Sequence, residues 1–421
     1  MKILITNTVV LNGGDAAILQ SIMEVLRKEF GEDTRFVVFD SQPEVAQRYY
    51  PEIDFRKLLY YRAGWAPRVA RNVLRPVNLR RFALAARLRQ RGLEALAREL
   101  LTDEELRDLK EYETADLIVS TGGTYLVENY DLMHRVFDFE IALITGRPLV
   151  FYTQSLGPFK NKANRRTLAR IFNRASLVLL RDELSRRHLL EIGVAANKLH
   201  VSADAVFALA DPHRKPRRAS KPSAKRPLRV AISVRDWVHF VGTDREQGMA
   251  NYREALVAAT AYLVQTHGAE VTYVSTCQGI AEYWTHDSRV AHAIVDTLGP
   301  TTRSKVIVDE AFHTPEQLVE LLSGFDLVIA TRMHMAILAL VAGTPVLPIA
   351  YEFKTAELFG RLGSGRWIQD INTIEADEFV ELLAALLASL KDVRETQLEG
   401  VVDEHARAMD AARHVRAAIA H

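Results

Sequence analysis

Arg332 and His334 interrupt a stretch, DLVIATRMHMAILALVAGTPVLPIAYEFKT from Asp326 to Thr355, that is otherwise largely apolar. From Asp326 to Thr331 leucine and β-branched residues follow one another without polar alternation, the pattern of a strand buried on both faces. Met335 to Ala342 predicts a short helix stopped by Gly343 and Pro345, and Val346 to Ile349 predicts a second, parallel strand. The two polar residues therefore fall at the carboxyl end of a strand and in the first turn of a helix. Open α/β sheets bind ligands there, and backbone N–H groups with the helix dipole favour an anion. A guanidinium so placed holds a carboxylate or phosphate, and an imidazole moves protons. The alternative is a structural histidine capped by a carbonyl.

The placement recurs. Arg181 follows ASLVLL, Arg235 ends VAISVR, and Lys354 follows the strand VLPIAY. Cations closing four different strands suggest a small substrate carrying both carboxylate and phosphate. A lone buried arginine is costly, so either Arg181 pairs with Asp182 or Asp204, or it receives an anionic ligand. Glycine pairs stand at two further strand ends: Gly13 and Gly14 before Asp15, and Gly122 and Gly123 in TGGTYLVENYD. They suit close approach of a ligand to the backbone, or equally a tight turn and close packing, with Asp15 as a helix cap. The full Gly-x-Gly-x-x-Gly spacing is missing, so nucleotide binding is weakly indicated. Gln154 and Ser155 offer neutral hydrogen bonds after another strand, and Glu128, Asn129 and Tyr130 could meet sugar hydroxyls. No paired carboxylates, metal-ligand spacing or nucleophile elbow is evident, so neither a metal nor a cofactor is expected.

The elements that must carry these residues alternate between strand and helix along both halves, the signature of parallel sheets wrapped by helices. The reading is α/β, with two Rossmann-like domains facing a cleft. The first spans 1–210, with an arginine-rich helical insertion at about 60–110. A linker rich in Pro, Ser and basic residues follows at 211–227, then a second domain at 228–390 and a helical tail at 391–421. The 421 residues are 48% hydrophobic and 25% charged with a net charge of +1, so nothing points to nucleic acid. Cys277 is the single cysteine, which excludes an internal disulfide. A strand expected from residue 1 leaves no leader, and a cytoplasmic location is the expectation.

One segment departs from this composition. Arg62 to Leu93 holds nine arginines and no acid, interspersed with Trp65, Val69, Val73, Leu74, Val77 and Leu84. It suits a solvated helical arm or a contact between copies of the chain. It equally suits a basic amphipathic surface lying on an anionic membrane, or one holding a diphosphate-linked lipid.

Taken together, the motifs GGDAAIL, GGTYLV, QSLGPF, LLRDELSRRHL, ADAVFAL, VSTCQGI, TRMHMAIL and YEFKTAEL resemble, in order, those of the polysaccharide pyruvyl transferases, closest to the colanic-acid type. The most specific are the Arg-x-His of Arg332 and His334 and the Tyr-x-x-Lys of Tyr351 and Lys354. The resemblance implies a fold like the B-type glycosyltransferases and transfer of the enolpyruvyl unit of phosphoenolpyruvate onto a sugar of an exopolysaccharide or cell-wall glycan, free or lipid-linked, as a ketal. It also implies donor binding by Arg332 and Arg181 and proton transfer by His334. Ala16 stands where the family often has an acid, and Met333 where leucine is common. The alternatives are a nucleotide-sugar-dependent glycosyltransferase of the same shape and a non-catalytic glycan-binding homologue.

Overall fold

The computed structural model describes residues 1–128, 132–213 and 226–420. Asn129, Tyr130 and residues 214–225 of the expected linker lie outside them. The chain divides into two compact units, one of residues 1–11, 15–208 and 407–421, the other of 12–14 and 209–406.

In the first unit seven parallel strands run in the order β3-β2-β1-β4-β5-β6-β7. They are β1 (Lys2–Thr8), β2 (Arg35–Asp40), β3 (Phe55–Lys57), β4 (Leu117–Ser120), β5 (Leu149–Gln154), β6 (Leu177–Leu180) and β7 (Leu199–Val201). Ile3, Leu4 and Ile5 of β1 are fully buried, as expected where helices cover both faces of a sheet. Ile3 pairs with Phe36 on one side and Leu117 on the other, so β1 is the point from which the chain winds outward in both directions. Phe139 and Phe172 contact Phe151 edge-on at 4.8 and 4.7 Å between ring centroids, locking flanking helices onto β5.

The second unit repeats the plan with six strands in the order β10-β9-β8-β11-β12-β13. These are β8 (Arg229–Ser233), β9 (Glu270–Tyr273), β10 (Val306–Val308), β11 (Leu327–Ala330), β12 (Val346–Ala350) and β13 (Gln369–Asp370). Here β8 is the reversal point, pairing with β9 and β11. Ile232, Ile329 and Leu347 face a core closed by Tyr252, Leu256 and Leu263 of the helix Arg245–His267.

The sequence shows ten of these strands; the three it does not show, β3, β7 and β13, are edge strands of two or three residues. The C-terminal segment forms one continuous helix, Leu390–Ile419, whose residues are shared between the two units. Its first part is held in the second unit by Arg361, which donates to Glu404 at 2.8 and 2.9 Å. Its last part belongs to the first unit, where Arg407 donates to the Ser202 carbonyl at 2.7 Å and Ser202 Oγ donates back at 2.8 Å. No described helix is long and apolar enough to cross a membrane.

Candidate functional site

Three of the four strand-end cations come together in the second unit. The helix Met333–Val341 starts immediately after β11, with Arg332 as its N-cap residue and His334 in its first turn. It begins two residues earlier than Met335, the start expected from the sequence. Arg332 is anchored at its backbone, whose N–H donates to Ser233 Oγ at the end of β8 at 3.2 Å. Its guanidinium forks onto Asp287 in the first turn of the helix Asp287–Val295, with Nε and Nη2 at 2.8 and 2.6 Å. Ser275 Oγ, just past β9, donates to the same carboxylate. Burial by itself would lower the Arg332 pKa. The Asp287 carboxylate, with smaller help from Cys277 and Tyr351, overrides it and holds the guanidinium well above its usual value. Arg332 is therefore a fixed cation, and its Nη1 has no hydrogen-bond partner among the described residues.

Tyr351, at the end of β12, joins the remaining cations. The Arg235 guanidinium lies 4.4 Å from its ring centroid and 4.8 Å from that of Trp237, and Lys354 Nζ lies 5.6 Å from the Tyr351 ring. Trp237 and Tyr351 are themselves 4.7 Å apart. Lys354 also pairs with Glu352 at 2.5 Å. Arg235, Arg332 and Lys354 thus close β8, β11 and β12, three adjacent strands at the point where the sheet order reverses.

The first glycine pair has a steric role here. The Gly13 N–H donates to the Thr276 carbonyl at 2.9 Å, and a Cβ on Gly14 would stand 2.5 Å from His334 Nδ1. Glycine lets the backbone pass directly over the His334 ring, so the loop packs against the imidazole. Capping of the helix Gly13–Phe30 falls to Asn12, whose Oδ1 accepts from the Gly14 N–H at 2.9 Å, while Asp15 stands inside the first turn.

In the first unit the sequence-selected residues mostly tie strands together. Arg181 is only 3% exposed; Nε donates to Ser155 Oγ at 2.7 Å, Nη1 pairs with Asp204, and Nη2 donates to Thr124 Oγ1. Three of its five N–H donors are thereby taken, and of the two acids open to it from sequence the partner is Asp204. Asp182 instead caps the helix Glu183–Glu191 by accepting from the Ser185 N–H, and accepts from Ser155 Oγ at 2.6 Å. Gln154 is fully buried, with Nε2 donating to Thr121 O at 2.8 Å and to Tyr125 Oη at 2.7 Å. A Cβ on Gly122 would meet Ile18, Thr153 and the Tyr152 carbonyl at 3.0 Å, and Gly123 has φ +113°. Both glycines serve the tight turn and its packing. Glu128 accepts from the Lys160 and Asn161 N–H groups at 2.7 and 2.9 Å, so it fixes a loop.

Sequence reasoning missed Asp287 and Arg135. Arg135 reaches the end of β1 from the helix Met133–Thr145, donating to the Asn7 carbonyl at 2.8 Å with its guanidinium 4.7 Å from the Tyr125 centroid. Asn7 itself has φ 67° and Thr153 φ 42°, two left-handed non-glycine residues at the ends of β1 and β5.

Two parallel α/β units of this construction define the B-type glycosyltransferase class of fold. The UDP-N-acetylglucosamine 2-epimerase of Neisseria meningitidis, solved with UDP-GlcNAc, is 12% identical with a TM-score of 0.58, covering 99% of each chain. HepE of Anabaena, solved with UDP and glucose, is 13% identical with a TM-score of 0.58, covering 100% of this chain and 99% of its own. Residues 12–352 match the polysaccharide pyruvyl transferase family, and the chain belongs to that family. It is an enzyme, a pyruvyl transferase. It is also 26% identical, over 305 residues and 70% of each chain, to the amylovoran biosynthesis protein AmsJ of Erwinia amylovora.

Proposed function

We propose that the donor is phosphoenolpyruvate, held in the second unit by Arg332, Arg235 and Lys354, and that His334 handles the protons. One observation carries this reading. Three cations close adjacent strands around Tyr351, and a histidine lies two residues from the arginine fixed on Asp287. A three-carbon acid with a carboxylate and a phosphate matches that set of charges. His334 protonates the methylene carbon, which becomes a methyl group, and a sugar hydroxyl bonds to the adjacent carbon and gives up its proton. Phosphate leaves with cleavage of its bond to that carbon, and a second hydroxyl closes the ketal with loss of its own proton. Arg181, spent on Asp204, Ser155 and Thr124, contributes by holding the ends of β4, β5 and β6 in place.

The acceptor we infer is a sugar unit of an exopolysaccharide, a reading supported by the family and by the likeness to an amylovoran biosynthesis protein. The reaction takes place in the cytoplasm, where phosphoenolpyruvate is made. Solved neighbours that hold UDP or UDP-sugars share the fold at low identity, so nucleotide sugars form the comparison arm of the test. With phosphoenolpyruvate and lipid-linked or free glycan, phosphate release should accompany a pyruvate ketal on the glycan. Glycosyl transfer from a nucleotide sugar without phosphate release would replace this reading, and no product from either would leave a non-catalytic glycan binder.

A further inference from the structure

The arginine-rich segment has two faces with opposite fates. The helix Arg71–Gln90 buries Phe82, Ala85 and Ala86. It is tied to the helix Asp103–Thr114 by Arg81 on Glu105 and by Arg89, which forks onto Glu113 at 2.7 and 2.8 Å. Arg62, upstream, donates to Asp108 at 2.8 Å, and Arg75 lies 5.2 Å from the Tyr60 ring centroid. These contacts set four acids of the helix Asp103–Thr114 against this side of the segment. A cavity of about 330 Å³ beside Trp65 shows the same balance, since its Arg62 and Arg81 are matched by Glu104 and Glu105.

The other face is unmatched. Val73, Val77, Arg80, Leu84 and Arg87 follow one another at three- and four-residue intervals, so they share one side of the helix. Val73 is 70% and Val77 54% exposed, and just upstream Trp65 is 71% exposed and Val69 fully so. Arg68, Arg71, Arg80, Arg87 and Arg91 have no acidic partner among the described residues, and no acid occurs between Arg62 and Leu93. A soluble helix normally turns such valines inward and surrounds its arginines with acids.

We infer that this face, from Trp65 through Arg87, rests on the surface of an anionic phospholipid bilayer. Valines, Leu84 and Trp65 enter the acyl boundary, while the unpaired arginines meet lipid phosphates. Charge complementarity selects a bilayer over a second copy of this chain, because pairing two such faces would bring unpaired arginines against arginines. The inference does not depend on the donor assigned above.

The test uses the full chain and vesicles of phosphatidylcholine with or without phosphatidylglycerol. Wild type should sediment with the anionic vesicles, at least tenfold less with phosphatidylcholine alone, and less as salt is raised. The doubly substituted Arg80→Gln/Arg87→Gln and Val73→Ser/Val77→Ser chains should keep the wild-type melting temperature and lose binding by roughly tenfold. Trp65 emission should shift to the blue on vesicle addition, and the shift should vanish in Trp65→Phe. Absence of wild-type sedimentation with anionic vesicles would overturn the inference, as would equal binding by both variants. So would a concentration-dependent dimer in light scattering that the valine substitutions abolish, which would assign the face to a second copy.

Discussion

Arg332 and Asp287, 45 residues apart in sequence, form a two-pronged ion pair at the ends of neighbouring elements, and Ser275 donates to the same carboxylate. Removing one charge from a buried pair strands the other. Asp287→Asn should therefore lower unfolding free energy by about 3 kcal/mol. It should also weaken phosphoenolpyruvate binding roughly tenfold, because the guanidinium loses its fixed orientation. Urea titration and calorimetry read the two effects separately. A wild-type midpoint with wild-type affinity would show that Asp287 holds nothing the donor needs.

His334 stands in the first turn of the helix after β11. If it moves protons and does not merely bind, His334→Asn should leave donor affinity within about twofold and lower kcat by roughly 10²–10⁴. A large rise in KM with kcat preserved would reassign His334 to binding.

Gly14→Ala sets local propensity against packing. In a helix, alanine exceeds glycine by about 1 kcal/mol, and Gly14 lacks the positive φ that would penalise a side chain. Its Cβ, however, would lie 2.5 Å from His334 Nδ1. His334 Cβ and Cγ would also lie 2.7 Å away, so the ring cannot simply rotate clear, and the variant should melt earlier than wild type and turn over roughly 10²-fold more slowly. Full activity would mean that the ring position is immaterial.

Asp138 makes a prediction about pH. Burial pushes its carboxyl up to about 6, against the pull of the Tyr60 and Leu59 N–H groups, the Tyr112 hydroxyl and Arg135. The folded chain thus holds this proton more tightly than the unfolded one. The proton's contribution is fully present below the unfolded value near 4 and is lost as pH rises through about 6. Between those limits wild-type stability should fall relative to Asp138→Asn by an amount on the order of 2 kcal/mol. Parallel stability curves for the two chains would contradict the shift.

The sheets were legible because their strands are continuous apolar runs, as in Leu327 to Ala330, and each is followed by a helix. Three of the four edge strands were not, because two or three half-exposed residues such as Gln369 and Asp370 carry no burial pattern. Arg332, His334, Arg235 and Lys354 could be placed at strand ends from local sequence alone. Their partners could not. Asp287 reads locally as a helix-start acid, and only the pairing of β8 with both β9 and β11 brings it to Arg332. Arg181 shows the converse, since a cation at a strand end looks equally suited to a ligand or to Asp204 until the fold supplies the acid. Likewise Gly13 and Gly14 suit a ligand or close packing equally in sequence, and only the fold shows His334 and Thr276 against them.

Titration calorimetry with phosphoenolpyruvate tests the donor assignment most directly, comparing wild type with Arg332→Ala in parallel with UDP-sugars. Wild type should bind phosphoenolpyruvate and no UDP-sugar, and the variant should bind it roughly ten- to a hundredfold more weakly. Equal affinity in both chains, or heat from UDP-sugars alone, would contradict the account.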